Sequence, residues 1–432
     1  MMRIDITISN LPDNKVQFKL HIPKPIRKYF LEDTTYVQYD KEIDVGNIDN
    51  SILAIPMVSV IAPIAWAVGA DVNVLELDST YLSSLARVRD VYRSFHPNFS
   101  FSGDIRAEKA VTNIFGKKKS AGMLFSGGVD SLTSYLRHKE ERPDLISIWG
   151  VPDIPPFEEK FWGRMWSDIS NLAKRDGLEA FQIKTDAFRN INHELLRSDF
   201  GIDWWGGVSG GLFLLGMCAP VTSARGTGTL IIASSYTEDF KERSGFHPSI
   251  DHNLSWADVA VVHDGYELSR QQKLKYLCQR ENLRYLAQLR VCWDSALKTN
   301  CGKCEKCLRT ITGLVVEGVD PNNCNFDIDE KTFPLLKSCF NKGRIKAGAG
   351  HVFMWSDIQK YIPERIDTDI RGSREFLTWL KGFDLSGYRT NRLRHFLLTA
   401  YLAYSNRRIK PLAIQRKLKC YCYKALARLK LL

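Results

Sequence analysis

Met123-Leu124-Phe125-Ser126-Gly127-Gly128-Val129-Asp130-Ser131 runs an apolar strand, Ala121 to Phe125, into two glycines and then into an Asp-Ser pair that opens a helix from about Asp130. Glycine permits positive φ and close approach of the backbone to a ligand. The unpaired N–H groups of such a turn and of the helix start form an anion site. Ser126 and Ser131 add hydroxyl donors, and Asp130 suits Mg²⁺, which screens phosphate charge. No Gly-Lys-Ser/Thr follows, so this is not a Walker loop. A competing reading of the same residues is an ordinary strand–turn–helix joint that uses Gly and Ser for geometry alone.

Outward from this joint, short apolar runs alternate with longer helical patterns. Strands are expected at Leu145 to Val151, Ala180 to Lys184, Leu230 to Ala233 and Val259 to His263. Helices are expected around Phe161 to Arg175 and Leu212 to Ser223. This alternation predicts an α/β fold with a parallel sheet covered by helices, whose ligands bind at the carboxyl ends of the strands. Upstream, Ile4-Ile6-Ile8 and Val16-Phe18-Leu20-Ile22 alternate as strands do, and Thr80 to Phe95 has helical spacing behind a cap at Asp78 or Ser79. These features read as a separate N-terminal α+β domain, residues 1–115. A middle domain follows at 116–319, then a mainly helical C-terminal region at 320–432.

The 432 residues are 44% hydrophobic and 25% charged, which is globular rather than disordered composition. The N-terminus lacks a charged-then-apolar leader, and Pro56 and Pro63 interrupt the apolar run Ile52 to Val68. A soluble, cytoplasmic protein is the expectation. The net charge of +11 is concentrated at one end. Residues 385–432 hold twelve Lys or Arg and no Asp or Glu, so the remaining 384 residues carry a net −1. This basic tail suits an anionic partner. Within it, Ile414, Leu418, Tyr421, Ala425 and Leu429 recur at helical steps. An anionic membrane surface, a nucleic acid and a protein partner (or the chain's own body) all fit.

Ten cysteines occur, none before Cys218, and Cys292, Cys301, Cys304 and Cys307 fall within sixteen residues. Four thiolates at this spacing suit tetrahedral Zn²⁺, with Gly302 permitting the tight turn of a knuckle and Lys298, Lys303, Lys306 and Arg309 offsetting charge. A redox pair from the C-x-x-C units, or an iron–sulfur cluster, would use the same residues.

Ser126 to Ser131 resembles the SGGxDS loop of the PP-loop ATP pyrophosphatases, which include GMP, NAD and asparagine synthetases and tRNA-modifying enzymes. Taken with Cys292 and Cys301-Gly302-Lys303-Cys304-Glu305-Lys306-Cys307-Leu308-Arg309, the chain is similar over about residues 120–315 to 7-cyano-7-deazaguanine synthase. The resemblance implies cleavage of ATP to AMP and pyrophosphate. AMP would activate a carboxylate or carbonyl oxygen for nitrogen transfer from ammonia, as in amide and nitrile formation on a 7-deazaguanine base. It assigns ATP and pyrophosphate to Ser126, Gly127, Gly128, Val129, Asp130 and Ser131. Of these, Asp130 and Ser131 are the catalytic candidates, with Asp130 on Mg²⁺; Zn²⁺ goes to the four cysteines. Lys273 resembles the family's helix Lys and would reach phosphate, although a solvated helix face also explains it. The substrate segments depart from the pattern: Val208-Ser209-Gly210-Gly211 lies where the family has Val-Pro-Gly-Arg-Asn. A different small-molecule carboxylate or modified base is therefore open, and related proteins occur in bacterial defence and modification systems.

Ser234, Ser235, Thr237, Glu238 and Asp239 follow the strand 230–233, at the end expected to face ligand. Ser234, Ser235 and Asp239 are candidates to touch the acceptor or Mg²⁺; a solvated polar loop is the alternative. His263 is a candidate substrate contact at a strand end, or a histidine that only satisfies local hydrogen bonds. Trp204-Trp205 reads as a stacking wall or as core. No glutaminase nucleophile is evident, so free ammonia or a partner donor is implied. The function classes in play are a carbon–nitrogen bond-forming, AMP-forming enzyme, a nucleic-acid-modifying enzyme of the same chemistry, and a non-catalytic nucleotide-binding component of a defence complex.

Overall fold

Eleven strands hydrogen-bond into one sheet among the residues described by the computed structural model, which are 2–116, 119–241, 243–292, 300–345 and 348–388. In chain order they are β1 (Arg3–Leu11), β2 (Lys15–His21), β3 (Thr34–Tyr39), β4 (Asp71–Asp78), β5 (Ile105–Val111), β6 (Lys119–Leu124), β7 (Asp144–Trp149), β8 (Ala180–Thr185), β9 (Thr227–Ala233), β10 (Ser255–Trp256) and β11 (Val259–Asp264). Across the sheet the order is β10-β11-β9-β6-β7-β8-β3-β2-β1-β4-β5. Strands β11, β9, β6, β7 and β8 are mutually parallel, as are β1, β4 and β5, while the β8–β3–β2–β1 stretch and β10–β11 are antiparallel. This is an α/β fold: a large, mostly parallel sheet flanked by helices, followed by a helical C-terminal region.

Residue periodicity accounts for much of it. On β2, Val16, Phe18 and Leu20 alternate inward and are buried, whereas every residue of the central strand β7 is buried, as expected for a parallel strand covered on both faces. The apolar run broken by prolines is helical over Ile55–Val68: Pro56 sits in its first turn, and Pro63 is accommodated inside it. The Trp205–Arg225 run is long and apolar enough by composition to cross a membrane, but 78% of its most apolar 18-residue window is buried inside the protein, where it serves as core helix.

The expected boundary at 115/116 is not a boundary between compact units. β3 pairs with β8, and Asp186 accepts hydrogen bonds from Thr35 Oγ1 (2.6 Å) and Tyr36 N (2.9 Å), so the N-terminal strands extend the same sheet. The chain divides instead into Met1–Arg290 and Val291–Leu432. The cysteine segment therefore belongs with the C-terminal helices rather than with a domain ending at 319. In that second unit, with helices Glu305–Val316, Thr332–Asn341, Ala349–Tyr361 and Ser373–Lys381, an aromatic cluster gathers around Phe340: Trp355 and Tyr388 are buried with it, and Trp379 and Phe383 are half-buried. The tail expected to meet an anionic partner begins in earnest at Arg389, and residues 389–432 lie outside the described residues.

Topology positions the loop. From β6 the chain proceeds to β7 and β8 on one side, whereas β9 lies on β6's other side. The carboxyl ends of β6 and β9 thus flank the point where the strand order reverses, which is where open α/β sheets bind ligands.

Candidate functional site

At the end of β6, Phe125 N donates to Ile146 O (2.8 Å), and the chain then turns at Gly127, whose φ of +72° is left-handed. Gly128 precedes the helix Val129–Arg137, which begins with no side-chain cap on its first-turn N–H groups. Those donors and the helix dipole stand beside the Ser126 and Ser131 hydroxyls. The two hydroxyl oxygens are 3.2 Å apart, and Ser126 N donates to Ser131 Oγ at 3.2 Å. Val129 contributes backbone only, because its side chain is fully buried. Arg290 N donates to Gly127 O (2.9 Å), pinning the turn from outside. A slot of about 20 Å³ lies beside it, lined by Phe125, Gly127, Met165, Ile169, Gln288 and Arg290, with room for about one water.

The helix Arg270–Leu277 brings two cations to this turn. It opens with a complete capping box between Ser269 and Gln272. The Lys273 ammonium, 2% exposed, reaches Asp130 Oδ1 at 3.3 Å and donates to Ser234 O at 2.5 Å. The Arg270 guanidinium meets Asp130 Oδ2 at 2.5 Å. Burial pushes the Lys273 ammonium below its ordinary pKa of 10.5, and Asp130 opposes that shift. Arg270 was not a sequence candidate. Its signal was present, since positions 270 and 273 share a helix face, but nothing in the sequence told that face from a solvated one.

Behind the turn, Asp264 at the end of β11 accepts from Ser134 Oγ (2.6 Å) and faces His138 Nε2 (3.1 Å) and Arg137 (3.3 Å). The hydrogen bond to Asp264 is the main reason the His138 imidazole rises to about 9. Burial pushes the Asp264 carboxyl up, yet its hydrogen bonds with His138 and Ser134 and the charge of Arg137 outweigh this and hold it below the usual range.

Of the remaining candidates, Ser234 is brought to the site through its carbonyl, with its hydroxyl turned to Tyr236 O (2.7 Å). Ser235 and Asp239 stay exposed on the loop beyond β9. His263 is not presented to solvent: its side chain is fully buried, with Nδ1 2.7 Å from Asp251 Oδ2. Gly210 and Gly211 are explained by the same packing. A Cβ on Gly211 would lie 2.5 Å from Asp251 Oδ1, and one on Gly210 would strike the Phe246 ring. Larger residues are excluded there because a carboxylate and a ring occupy the space. Trp204 is core, 2% exposed, and Trp205 packs edge-on against Phe188, Phe213 and Phe246.

The second unit holds the four cysteines, whose Sγ atoms all lie within 4.8 Å of one another. Cys301 and Cys307 Sγ are 3.7 Å apart, close to the roughly 3.8 Å edge of a tetrahedron with Zn–S of about 2.3 Å. Gly302, φ +64°, turns the chain so that Lys303 N (3.4 Å) and Cys304 N (3.2 Å) donate to Cys301 Sγ. Cys304 caps the helix Glu305–Val316 through Cys307 N. Asn300, 3% exposed, holds the two halves in register: its Oδ1 accepts from Val291 N (2.8 Å) and Cys292 N (3.1 Å), and its Nδ2 donates to Asn325 O. The crowded thiols drive each other apart, Cys301 and Cys304 down and Cys292 and Cys307 up, through their mutual hydrogen bonds. Four thiolates would repel at this range, and the four Sγ atoms could hold a divalent metal such as zinc, whose charge would let all four coexist. Arg309, expected to offset thiolate charge, instead pairs with Glu305 (3.0 Å), which also accepts from Trp355 Nε1 (3.1 Å). Lys298 lies outside the described residues.

Comparison of the chain with protein-family models, curated proteins and solved structures finds no match.

Proposed function

We propose that the chain is a PP-loop ATP pyrophosphatase similar to 7-cyano-7-deazaguanine synthase. It would adenylate a carboxylate or carbonyl oxygen and pass the activated carbon to ammonia or another nitrogen nucleophile. The observation that carries this reading is the Gly127–Ser131 turn with Asp130 clasped between Arg270 and Lys273. ATP's β- and γ-phosphates would be received by the turn's N–H groups and the Ser126 and Ser131 hydroxyls, where pyrophosphate charge develops as the α–β bond breaks. An arriving polyanion competes with Asp130 for Arg270 and Lys273. Transfer of these cations to phosphate frees the Asp130 carboxylate, which is then placed to hold Mg²⁺; that ion would supply charge neutralisation of the phosphates. The partly desolvated Lys273 gains most from this exchange, because a buried ammonium is stabilised by each added negative charge.

Ammonia or a partner protein supplies the nitrogen in this scheme. Cys218 is fully buried with its thiol pushed up by that burial, and burial also raises Cys324 to about 12, so neither serves as a glutaminase nucleophile. In the second unit Zn²⁺ on Cys292, Cys301, Cys304 and Cys307 would be structural, since four protein ligands leave no open position.

The test is phosphate- and base-product analysis by mass spectrometry after incubation with ATP, Mg²⁺, ammonium and 7-carboxy-7-deazaguanine, beside Asp130→Ala. AMP with an amide or nitrile product, both lost in the variant, is the expected result. AMP without a changed base would exclude this acceptor, and absence of AMP with every carboxylate tried would leave a nucleotide-binding component of a larger complex. The acid-free basic tail favours a second reading, in which the acceptor is a nucleic acid. Salt-sensitive nucleic-acid binding, abolished by deleting residues 389–432, would support it.

A further inference from the structure

A groove of about 780 Å³ in the first unit has no part in the chemistry above and shares no lining residue with the slot at the phosphate turn. Its floor is the outward face of β8, where Ala180, Gln182 and Lys184 alternate, with Gln38 of β3 alongside. One wall is aromatic. Trp149, Trp162 and Trp166 form a continuous stack with centroid spacings of 5.6 and 6.1 Å and interplanar angles of 7° and 10°. The Lys184 ammonium lies 3.9 Å from the Trp149 ring centroid, so one end of the stack already carries a cation. Trp162 and Trp149 spend their indole N–H groups on Gln182 Oε1 and Pro155 O. Trp166, at the far end, is half-buried and has no hydrogen-bond partner for its N–H among the described residues. Asp13, Asp40 and Glu42, with Asn14, also line the groove. Asp40 accepts from Gln182 N at 3.4 Å, while Asp13 and Glu42 are exposed and their carboxylates make no ion pair among the described residues.

We propose that this groove binds an organic cation, an alkylammonium or guanidinium group, between Trp166 and the carboxylates of Asp13, Asp40 and Glu42. Three carboxylates face two lysines, and one of those, Lys184, is already engaged on Trp149. An indole face attracts a cation through its quadrupole, and a planar guanidinium also stacks on it. Burial of the inner two rings fixes the platform, so little side-chain entropy is lost when a ligand docks. The ligand chemistry has two sources, a free polyamine or the basic side chain of a peptide.

Calorimetric titration of the full chain with spermidine and, separately, with an arginine tripeptide separates these sources, with a citrulline tripeptide as the uncharged control. Saturable binding of at least one cation is expected. It should weaken roughly tenfold in Trp166→Leu and in Asp13→Asn/Glu42→Gln, and recover in Trp166→Phe. Circular dichroism of each variant establishes that it is folded, and AMP formation, read separately, is expected to be unchanged. Spermidine binding alone would assign the free amine, and tripeptide binding alone the peptide side chain. No saturable binding of either cation, equal binding of the citrulline peptide, or affinity unaltered in both folded variants would overturn the proposal.

Discussion

The Gly127–Ser131 turn and the cysteine knuckle are built in opposite ways. The knuckle gathers Cys292, Cys301, Cys304 and Cys307 from sixteen consecutive residues, and its supporting N–H groups come from the same turn. The Gly127–Ser131 turn is local in its N–H and hydroxyl donors but not in its charge. Asp130 is met by Arg270 and Lys273, 140 and 143 residues away, carried on a helix that follows β11. A site closed within one turn tolerates distant change, whereas one that borrows its cations across the sheet depends on the packing of everything between.

That contrast can be broken at several points. The largest effect is expected at the knuckle. Cys307→Ser, or removal of metal by a chelator, should take bound zinc from one ion per chain to none by elemental analysis. It should also destabilise the C-terminal helical unit by several kcal/mol in thermal unfolding. Unchanged unfolding after chelation would mean that the thiols do not form a structural metal site.

The next largest should come from Lys273→Met. Removing one partner of a buried ion pair destabilises, an effect blunted here because Arg270 still meets Asp130; on the proposed function, loss of this cation should lower AMP formation of the folded variant by roughly 10²–10³-fold. A variant that unfolds as readily as it loses activity would show Lys273 to be structural. Gly211→Ala then tests the close packing against Gly211. Its Cβ would lie 2.5 Å from Asp251 Oδ1 and 2.6 Å from Gly245 O, so a loss of about 1–3 kcal/mol in urea denaturation is expected.

The smallest effect concerns pH. His138 is raised from its ordinary 6.5 to about 9, first by its hydrogen bond to Asp264. The ion pair therefore contributes fully below about pH 6.5 and fades as pH rises towards 9. Because His138 is partly solvated, the contribution is discounted to about 1 kcal/mol or less. His138→Gln should flatten the stability–pH profile between those values, and an unaltered slope would remove His138 from the account.

Many of the strands and helices were legible because their signals are local. Ala180 to Lys184 was expected as a strand and is found as β8, Ala180–Thr185; Thr80 to Phe95 was expected as a helix and is found at Ser79–Phe95, with Asp78 Oδ1 accepting from Tyr81 N at 2.8 Å. The division at 115/116 failed for a different reason. The β3–β8 pairing that fuses the N-terminal strands to the sheet joins residues nearly 150 positions apart, and nothing local to either strand shows its neighbour. For His263 the sequence leaves two readings open, a substrate contact and a histidine that only satisfies local hydrogen bonds, and what meets its buried side chain is Asp251, on a separate short helix that the local pattern does not place beside it.

The amino-acid sequence by itself determined the elements, the positive-φ turns at Gly127 and Gly302 and the cysteine spacing, since each depends on backbone sterics or contacts within a few residues. Only the tertiary structure decided that Asp130 lies between Arg270 and Lys273, that Arg309 serves Glu305 rather than the thiols, and that β1 to β11 form one sheet. Those partnerships come from long-range packing, in which apolar burial decides which surfaces meet and charged groups deprived of water must then pair with whatever lies across from them.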